Sequence, residues 1–443
     1  MATTHTRWWQ NTPPEEKQGE TQVVEGDGSV VAYWALTAFA FILLISPQSF
    51  IPSLAPLRIA LLSAAVAIFA HITNRLKLTK PLLRANPALT AIFLLVLWAV
   101  ITTPFSRWPG GSISFLMDLY LKTIIIFAML TQVVDSVQKL KGLVTALVLI
   151  SVPLAATTVQ NFMNGAYVVD GIRVAGYAAN LTENPNDMAL MLNLILPLCA
   201  ALISDAERIT HKILFSVIAA LIVAGVISTF SRAGFLTLLI IGLCYARSVL
   251  RGRARGWLPV VFLIAITGTL MLPGSYVERV GTIVSIEEDS TGSAQVRLRD
   301  MKVAVQQGIT HPLVGSGLGM NQLVMNDLRG ETWTEIHNVY LQLLVDLGLP
   351  GLTLFLMLYW HAYRATYIAP QHGLGARQRP SVECLSHMKG GIRISLIAFG
   401  VAALFHPVAY QFYFYIIAGL AVAAGQLTPS QNKGDFDAAY RTS

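Results

Sequence analysis

Long apolar runs separated by short polar connections repeat along this chain from Val30 to Leu427. The runs are about 18–25 residues long, which is the length that an α-helix needs to cross the hydrocarbon core of a membrane. The pattern predicts an all-α polytopic integral membrane protein with about twelve transmembrane helices. The predicted spans are residues 30–47, 50–72, 87–104, 112–134, 140–162, 187–204, 211–229, 232–250, 256–272, 338–363, 390–408 and 411–427.

The longest polar segment, Leu272–His337, separates the ninth predicted span from the tenth. Within it, Gln295–Gln307 has a partly amphipathic helical pattern that is expected to end at Gly308 and Pro312. Residues 320–328 are predicted to form a second short helix. The predicted divisions are a disordered cytoplasmic tail at 1–29, spans one to nine over 30–271, the loop at 272–337, spans ten to twelve over 338–427, and a cytoplasmic tail at 428–443.

The composition agrees with a membrane protein, because 54% of the residues are hydrophobic and only 12% are charged. Soluble domains usually carry about a quarter charged residues. The net charge of +7 is typical of basic cytoplasmic loops and does not indicate nucleic-acid binding. The three cysteines lack a CxxC pair, and the histidines show no metal-binding spacing, so neither a bound metal nor another cofactor is expected.

Basic residues predict the orientation of the spans. Clusters such as Arg75–Arg84, Lys139–Lys141 and Arg251–Arg255 follow the even-numbered spans and therefore lie on one side of the membrane. The positive-inside rule makes this side cytoplasmic, together with both termini. The loop Leu272–His337 is then expected on the outer, periplasmic face.

Three of the outward-facing segments carry groups suited to phosphate chemistry. Arg173 precedes Asn184-Pro185-Asn186, Arg232 begins the eighth span, and the long loop contains Arg297 and Arg299 and ends at His337-Asn338. A guanidinium group is planar and permanently charged, and it can bind two phosphate oxygens at once. A neutral imidazole beside these arginines can accept a proton from an attacking hydroxyl group.

Structural interpretations of the same residues remain open at this point. An arginine at the end of a span is often a snorkelling anchor or an ion-pair partner, and a histidine at a helix start is often a cap or a satisfied polar group. Asp346 lies in the middle of the tenth predicted span, where an internal ion pair is favoured over a proton relay.

Two motifs resemble signatures of the bacterial O-antigen ligases, which share a superfamily with O-antigen polymerases and protein O-oligosaccharyltransferases. In the first motif, Arg232 is followed four positions later by Leu236. In the second, His337-Asn338 is followed by nine residues and then by Gly348-Leu349-Pro350-Gly351. The segments around Arg297 and from His311 to Gly317 are also similar to the shared region. Met301 departs from the pattern, since relatives often have tryptophan there.

The resemblance implies a GT-C-like glycosyltransferase that moves an O-antigen glycan from undecaprenyl pyrophosphate to the outer-core sugar of lipid A–core. The reaction would complete lipopolysaccharide at the periplasmic face of the bacterial inner membrane, with inversion and without a metal or other cofactor. The implied partners are the two lipid-linked glycans and membrane lipid, and no nucleic acid. The implied site residues are Arg232 and Arg297, then Arg173 and Arg299, as pyrophosphate ligands, His337 as base, and Asn338 or Glu335 as its support.

Three other functions remain possible on the sequence alone. An O-antigen polymerase would use a second carrier-linked glycan as acceptor, and a protein O-oligosaccharyltransferase would use a protein. A transporter or lipid flippase is less favoured, although twelve spans with internal termini is a common transporter layout. Transporters concentrate polar groups near the membrane midplane and contain internal repeats, whereas here the polar groups lie at the outer face and no repeat is found.

Overall fold

The computed structural model of the chain describes residues 27–166, 168–169, 173–176, 184–250, 293–329, 335–368 and 379–428, and these residues are mostly helical. The helices are α1 (Val30–Ile45), α2 (Ile59–Lys77), α3 (Pro87–Thr102), α4 (Pro109–Phe115), α5 (Leu121–Val133), α6 (Val137–Asn164), α7 (Pro185–Asp205), α8 (Ile209–Ser228), α9 (Arg232–Leu250), α10 (Ser293–Thr310), α11 (Asn321–Arg329), α12 (Val339–Ala365), α13 (Arg379–Ala402) and α14 (Phe412–Gln426).

Seven helical segments in the described part of the chain are long and apolar enough to cross a membrane. Helices α1 and α14 are also apolar but shorter. Every predicted span within the described residues overlaps a helix, whereas the predicted span 256–272 lies outside them. The prediction of a polytopic helical membrane protein is therefore confirmed, and the number of spans stays a prediction.

Several boundaries differ from the sequence pattern; α2, for example, begins at Ile59 and not near residue 50. Helix α13 begins at Arg379, well before the predicted span 390–408, because its polar first turns are compatible with a helix but not apolar. The predicted disordered tail 1–29 overlaps the described residues only at its end. There the Gly28 amide donates to Asp135, with an N···O distance of 2.5 Å, and Lys139 donates to the Gly28 carbonyl at 3.1 Å.

Helix α7 lies at the centre of the bundle, and all of its residues from Met188 to Ile203 are buried. It packs against α6, α8, α9 and α13. Its start is well defined because Asn184 accepts a hydrogen bond from the Asn186 amide at 2.9 Å, and Pro185 occupies the first helical position. The N-terminal end of α7 is therefore a fixed point on which a site can be built.

The two ends of the bundle differ in character. At one end, ion pairs join Lys139 to Asp135 and Lys141 to Asp205, each with an N···O distance of 2.6 Å. Both lysines lie near the start of α6, whose opposite end at Asn161 leads to a small hairpin, β1 (Val168–Val169) and β2 (Arg173–Val174). The basic clusters Arg75–Arg84 and Lys139–Lys141 therefore lie at the end opposite to Arg173, as the charge pattern predicts. The cluster Arg251–Arg255 lies outside the described residues.

The long loop contains the two predicted helices, α10 and α11. The predicted end of the first helix at Gly308 is wrong, because α10 continues through this residue to Thr310 and ends just before Pro312. A Cβ atom at Gly308 would lie 2.6 Å from the side chain of Leu344. Gly308 therefore serves close packing of α10 against α12.

Helix α12 is broken at Gly348, where φ is 68° and ψ is −170°. The break removes helical partners from the carbonyl groups before it, and such groups are costly to leave unpaired within a membrane protein. The glycine-rich segment 315–319 and Trp98 supply new partners. The Ser316 amide donates to Val345 O and the Gly317 amide donates to Asp346 O, each at 2.8 Å. The indole Nε1 of Trp98 donates to Leu347 O at 2.9 Å.

We expect Gly348→Ala to destabilise the protein strongly. The backbone conformation disfavours a side chain by about 1–3 kcal/mol, and a Cβ atom would lie 2.4 Å from the carbonyl oxygen of Leu313. Gly390→Ala is the matched control, because a Cβ atom at Gly390 has no neighbour within 4 Å. Thermal unfolding of the purified proteins in detergent should show a lower Tm for Gly348→Ala only. Equal Tm values for the two variants would contradict the role of the break.

Candidate active site

His337 lies in a short non-helical segment, Glu335–Asn338, which leads into α12. Its Nδ1 atom is 3.0 Å from the backbone carbonyl oxygen of Glu335. Because a carbonyl oxygen only accepts hydrogen bonds, Nδ1 carries the hydrogen and donates it. In the neutral ring the lone pair is therefore on Nε2, which is the nitrogen that a base would use.

The surroundings of His337 favour the neutral ring. Burial, followed by the positive charge of Arg297, lowers the pKa of His337 to about 4 from its ordinary value of 6.5. His406 and Arg173 lower the pKa further, while the hydrogen bond to the Glu335 carbonyl raises it without offsetting the other effects. The imidazole is therefore uncharged at neutral pH.

Arg297 and Arg299 lie on different faces of α10. Arg297 is half-buried, and its charge lowers the pKa of both His337 and His406. Arg299 is exposed. Residues two positions apart on a helix do not face each other, so only one of the two can point at the histidines. The structure brings Arg297 to His337 and places Arg299 on the surface.

Arg173 reaches the same region from the hairpin after α6. It is half-buried in β2, where it pairs with Val169, and its charge lowers the pKa of His337. The hairpin is held by Asn161, whose side-chain amide donates to the carbonyl of Ala175 at 3.1 Å and to that of the next residue. A segment far from the long loop thus contributes a second guanidinium group.

Arg232 is the first residue of α9 and is half-buried. The preceding hydroxyl group, Ser231 Oγ, donates to Asn186 Oδ1 at 2.8 Å and accepts from the Gly234 amide at 3.1 Å. A Cβ atom at Gly234 would lie 2.7 Å from the Cβ of Ala189, so this glycine allows α9 to approach α7 closely. The first motif therefore fixes Arg232 beside the N-terminal end of α7.

The two residues expected to support His337 act in different ways. Asn338 is buried, and its Oδ1 accepts from the amides of Tyr340 and Leu341 at 3.0 Å each. Asn338 therefore caps α12. This role determines where the helix starts, and it does not involve a hydrogen bond to the His337 imidazole. Glu335 orients the imidazole through its backbone carbonyl. Burial raises the pKa of the Glu335 carboxyl group.

His406 joins this region although its sequence spacing did not mark it as a site residue. It lies between α13 and α14, is buried, and has Nδ1 at 2.8 Å from Ala402 O and Nε2 at 3.2 Å from Asn186 O. Burial is the main cause that lowers its pKa, and Arg297 adds to the effect. Its one sequence signal is its position in an outward connection between the last two predicted spans. Asn186 thereby links the start of α9 to the end of α13.

This arrangement combines anion binding with proton acceptance. Arg173 and Arg297 offer positive charge beside a neutral His337, and Arg232 lies at the adjoining helix start. Within the described ranges, no group of three or more His, Cys, Asp or Glu side chains could hold a metal ion. The residues at this end can therefore hold an anionic group and deprotonate a hydroxyl group beside it.

A comparison with known protein families identifies the same part of the chain. Residues 217–356 match a family model described as O-Antigen ligase, and the matched region includes Arg232, Arg297 and His337. A search of curated proteins gives no match. The family match confirms the resemblance indicated by the two motifs, over residues 217–356.

Proposed function

We propose that this protein is an O-antigen ligase of the bacterial inner membrane, with its active site on the periplasmic face. It transfers the O-antigen glycan from undecaprenyl pyrophosphate to the outer-core sugar of lipid A–core in a GT-C-like helical fold. The observation that carries the proposal is the neutral His337, which holds its lone pair on Nε2 and lies close enough to Arg297 and Arg173 for their charges to lower its pKa. The family description supports the same assignment.

The proposed reaction needs little from the protein beyond binding, proton transfer and charge stabilisation. His337 Nε2 accepts the proton of the acceptor hydroxyl, and the hydroxyl oxygen forms a bond to the anomeric carbon of the donor glycan. The bond from this carbon to the pyrophosphate oxygen breaks, and undecaprenyl pyrophosphate leaves as an anion. Arg297, Arg232 and Arg173 stabilise the negative charge that develops on departure. Attack opposite the leaving group inverts the anomeric centre.

Donor binding would also strengthen the base. The charges of Arg297 and Arg173 lower the pKa of His337. A bound pyrophosphate would neutralise these charges, and a nearby negative charge favours the protonated imidazole. The pKa of His337 would then rise towards neutral pH once the donor is present, which improves its match to proton transfer. His337 would thus remain unprotonated, and able to act as a base, until the donor binds.

The location of the polar groups supports a transferase in preference to a transporter. The candidate residues lie in connections or first turns at one end of the bundle, namely at the hairpin, at the start of α9 and in the segment before α12. A carrier pyrophosphate must also lie at the membrane surface, because its prenyl chain stays in the bilayer. A transport site would be expected near the midplane.

The proposal is tested by giving the purified protein a glycan on undecaprenyl pyrophosphate together with lipid A–core. We expect the glycan to appear on lipid A–core, without added metal and in the presence of a chelator. The same donor offered alone is the control for polymerisation. Longer carrier-linked glycans in that control, with lipid A–core left unmodified, would identify a polymerase and reject the ligase assignment.

Arg297→Ala should lower kcat/KM by about 10²–10³-fold, as expected when a charge-stabilising donor is removed. Arg297→Lys should also be impaired, because the ammonium group cannot bind two oxygens in a planar fork. Arg299→Ala is the matched control on the exposed face of the same helix and should stay within about threefold of the wild type. Equal losses in Arg297→Ala and Arg299→Ala, at equal protein level, would remove Arg297 from the site.

The pH dependence distinguishes a base from a cationic donor at His337. The folded-state pKa is about 4, so the free enzyme carries a neutral imidazole throughout the neutral range. As a base it should give a kcat/KM that is nearly constant from about pH 6 to pH 8. A cationic donor would instead lose activity as the pH rises. Initial rates for the wild type and His337→Gln decide between the two, with a loss of about 10²–10⁴-fold expected for the variant.

A further inference from the structure

Asp346 is completely buried in α12, two residues before the break at Gly348. Its Oδ2 atom accepts a hydrogen bond from Asn321 Nδ2 at 3.1 Å. The amide of Gly319 and the hydroxyl group of Tyr410 also lie beside this carboxyl group. The internal ion pair favoured by the sequence is therefore replaced by contacts with neutral groups.

Asn321 connects Asp346 to the segment that carries His337. Asn321 is buried at the start of α11, and its Oδ1 accepts from the Ile336 amide at 3.4 Å. The Ile336 carbonyl in turn accepts from the Asn338 amide at 2.7 Å. One side chain thus holds the backbone directly before His337 while it is itself held by Asp346.

The Ile336 side chain is fixed by a second, apolar contact. It forms a small cluster with Ala304 of α10, Met325 of α11 and Val345 of α12, and all four residues are buried. This group, named here the loop cluster, is separate from the large core of the bundle. Arg297 lies on α10, so the loop cluster sets both the guanidinium group and the imidazole relative to α12.

The chemistry of the two side chains explains why a carboxyl group is useful at this position. The carboxyl oxygen Oδ2 of Asp346 accepts a hydrogen bond, whereas an amide side chain has one donating end and one accepting end. The carboxyl group of Asp346 therefore orients the Asn321 amide, with Nδ2 towards Asp346 and Oδ1 towards the Ile336 amide. Without this acceptor, the amide could rotate and present its NH₂ group to another N–H donor.

We propose that Asp346 is a positioning residue that sets the place of His337 through Asn321 and the Ile336 backbone amide. The inference rests on the proposed role of His337 as the base. It predicts that disturbing Asp346 slows the chemical step while the pyrophosphate ligands keep their binding function. A displacement of about 1 Å of a reacting group can cost about 10²-fold in rate.

The first measurement is kinetic and compares Asp346→Ala and Asn321→Ala with Trp98→Phe. Trp98→Phe removes the hydrogen bond to Leu347 O at the same break but leaves the path to His337 intact. We expect kcat to fall about 10²-fold in the first two variants, with the donor KM within about threefold. Their double variant should lose no more than either single variant, because both act through one hydrogen bond. If kcat fell as much in Trp98→Phe as in Asp346→Ala, Asp346 would have only a structural role and the inference would be wrong.

The second measurement follows hydrogen exchange of the peptide that contains Ile336, and it does not depend on activity. Exchange should be faster in Asp346→Ala and Asn321→Ala than in the wild type and Trp98→Phe. Unchanged exchange in Asp346→Ala would overturn the inference. Absence of ligation by the wild type would instead reject the proposed function, while the exchange data would still test the path from Asp346 to Ile336.

An exchange of the two side chains covers the case in which alanine variants do not fold. Asn321→Asp alone places two carboxyl groups in contact and should lower kcat about 10²-fold. Adding Asp346→Asn restores a donor and an acceptor between the two positions and still offers an oxygen to the Ile336 amide. We expect this double variant to recover most of the activity and of the slow exchange. Failure to recover either quantity, at normal protein level, would contradict the proposed connection.

Discussion

The requirement that buried backbone groups find hydrogen-bond partners governs the architecture around the site. A helix of membrane-spanning length satisfies its own backbone, and a break at Gly348 leaves carbonyl groups in a place where water cannot reach them. The segment around Ser316 and Gly317 pairs with those carbonyls and is thereby drawn into the bundle. A loop that would otherwise lie over the surface becomes part of the packed protein, and it brings α10 and α11 with it.

Electrostatics then gives this packed loop its chemistry. Positive charges from separate parts of the chain converge on a partly buried imidazole, so charge repulsion and desolvation both disfavour the protonated ring. The same charges would attract a pyrophosphate. The same charge distribution would therefore both bind the pyrophosphate and keep the His337 imidazole neutral. His406 adds a buried ring whose two nitrogens lie near backbone carbonyl oxygens at the start of α7 and the end of α13, and Arg297 is close enough to lower its pKa.

Apolar run length was sufficient to predict the helical membrane scaffold, since burial in lipid imposes a length and composition that are visible in sequence. Residue chemistry also drew attention to Arg173, Arg297 and His337, which the structure brings together. Spacing could not show that Asn338 caps a helix or that Gly308 lies inside one, because both depend on neighbours from other segments. The roles of Asp346 and His406 were hidden for the same reason.

The loop cluster has a consequence for how damage to this protein would be recognised. Its four side chains form a unit apart from the extensive core that holds the helices together. Free energies of local opening can be much smaller than that of global unfolding. A substitution at Ala304 or Met325 can therefore leave a bundle that is inserted, abundant and resistant to heat, yet inactive. Protein level and melting temperature would be unchanged in such a variant. Defects of this kind, whether inherited or engineered, would be detected only by measurements of local order.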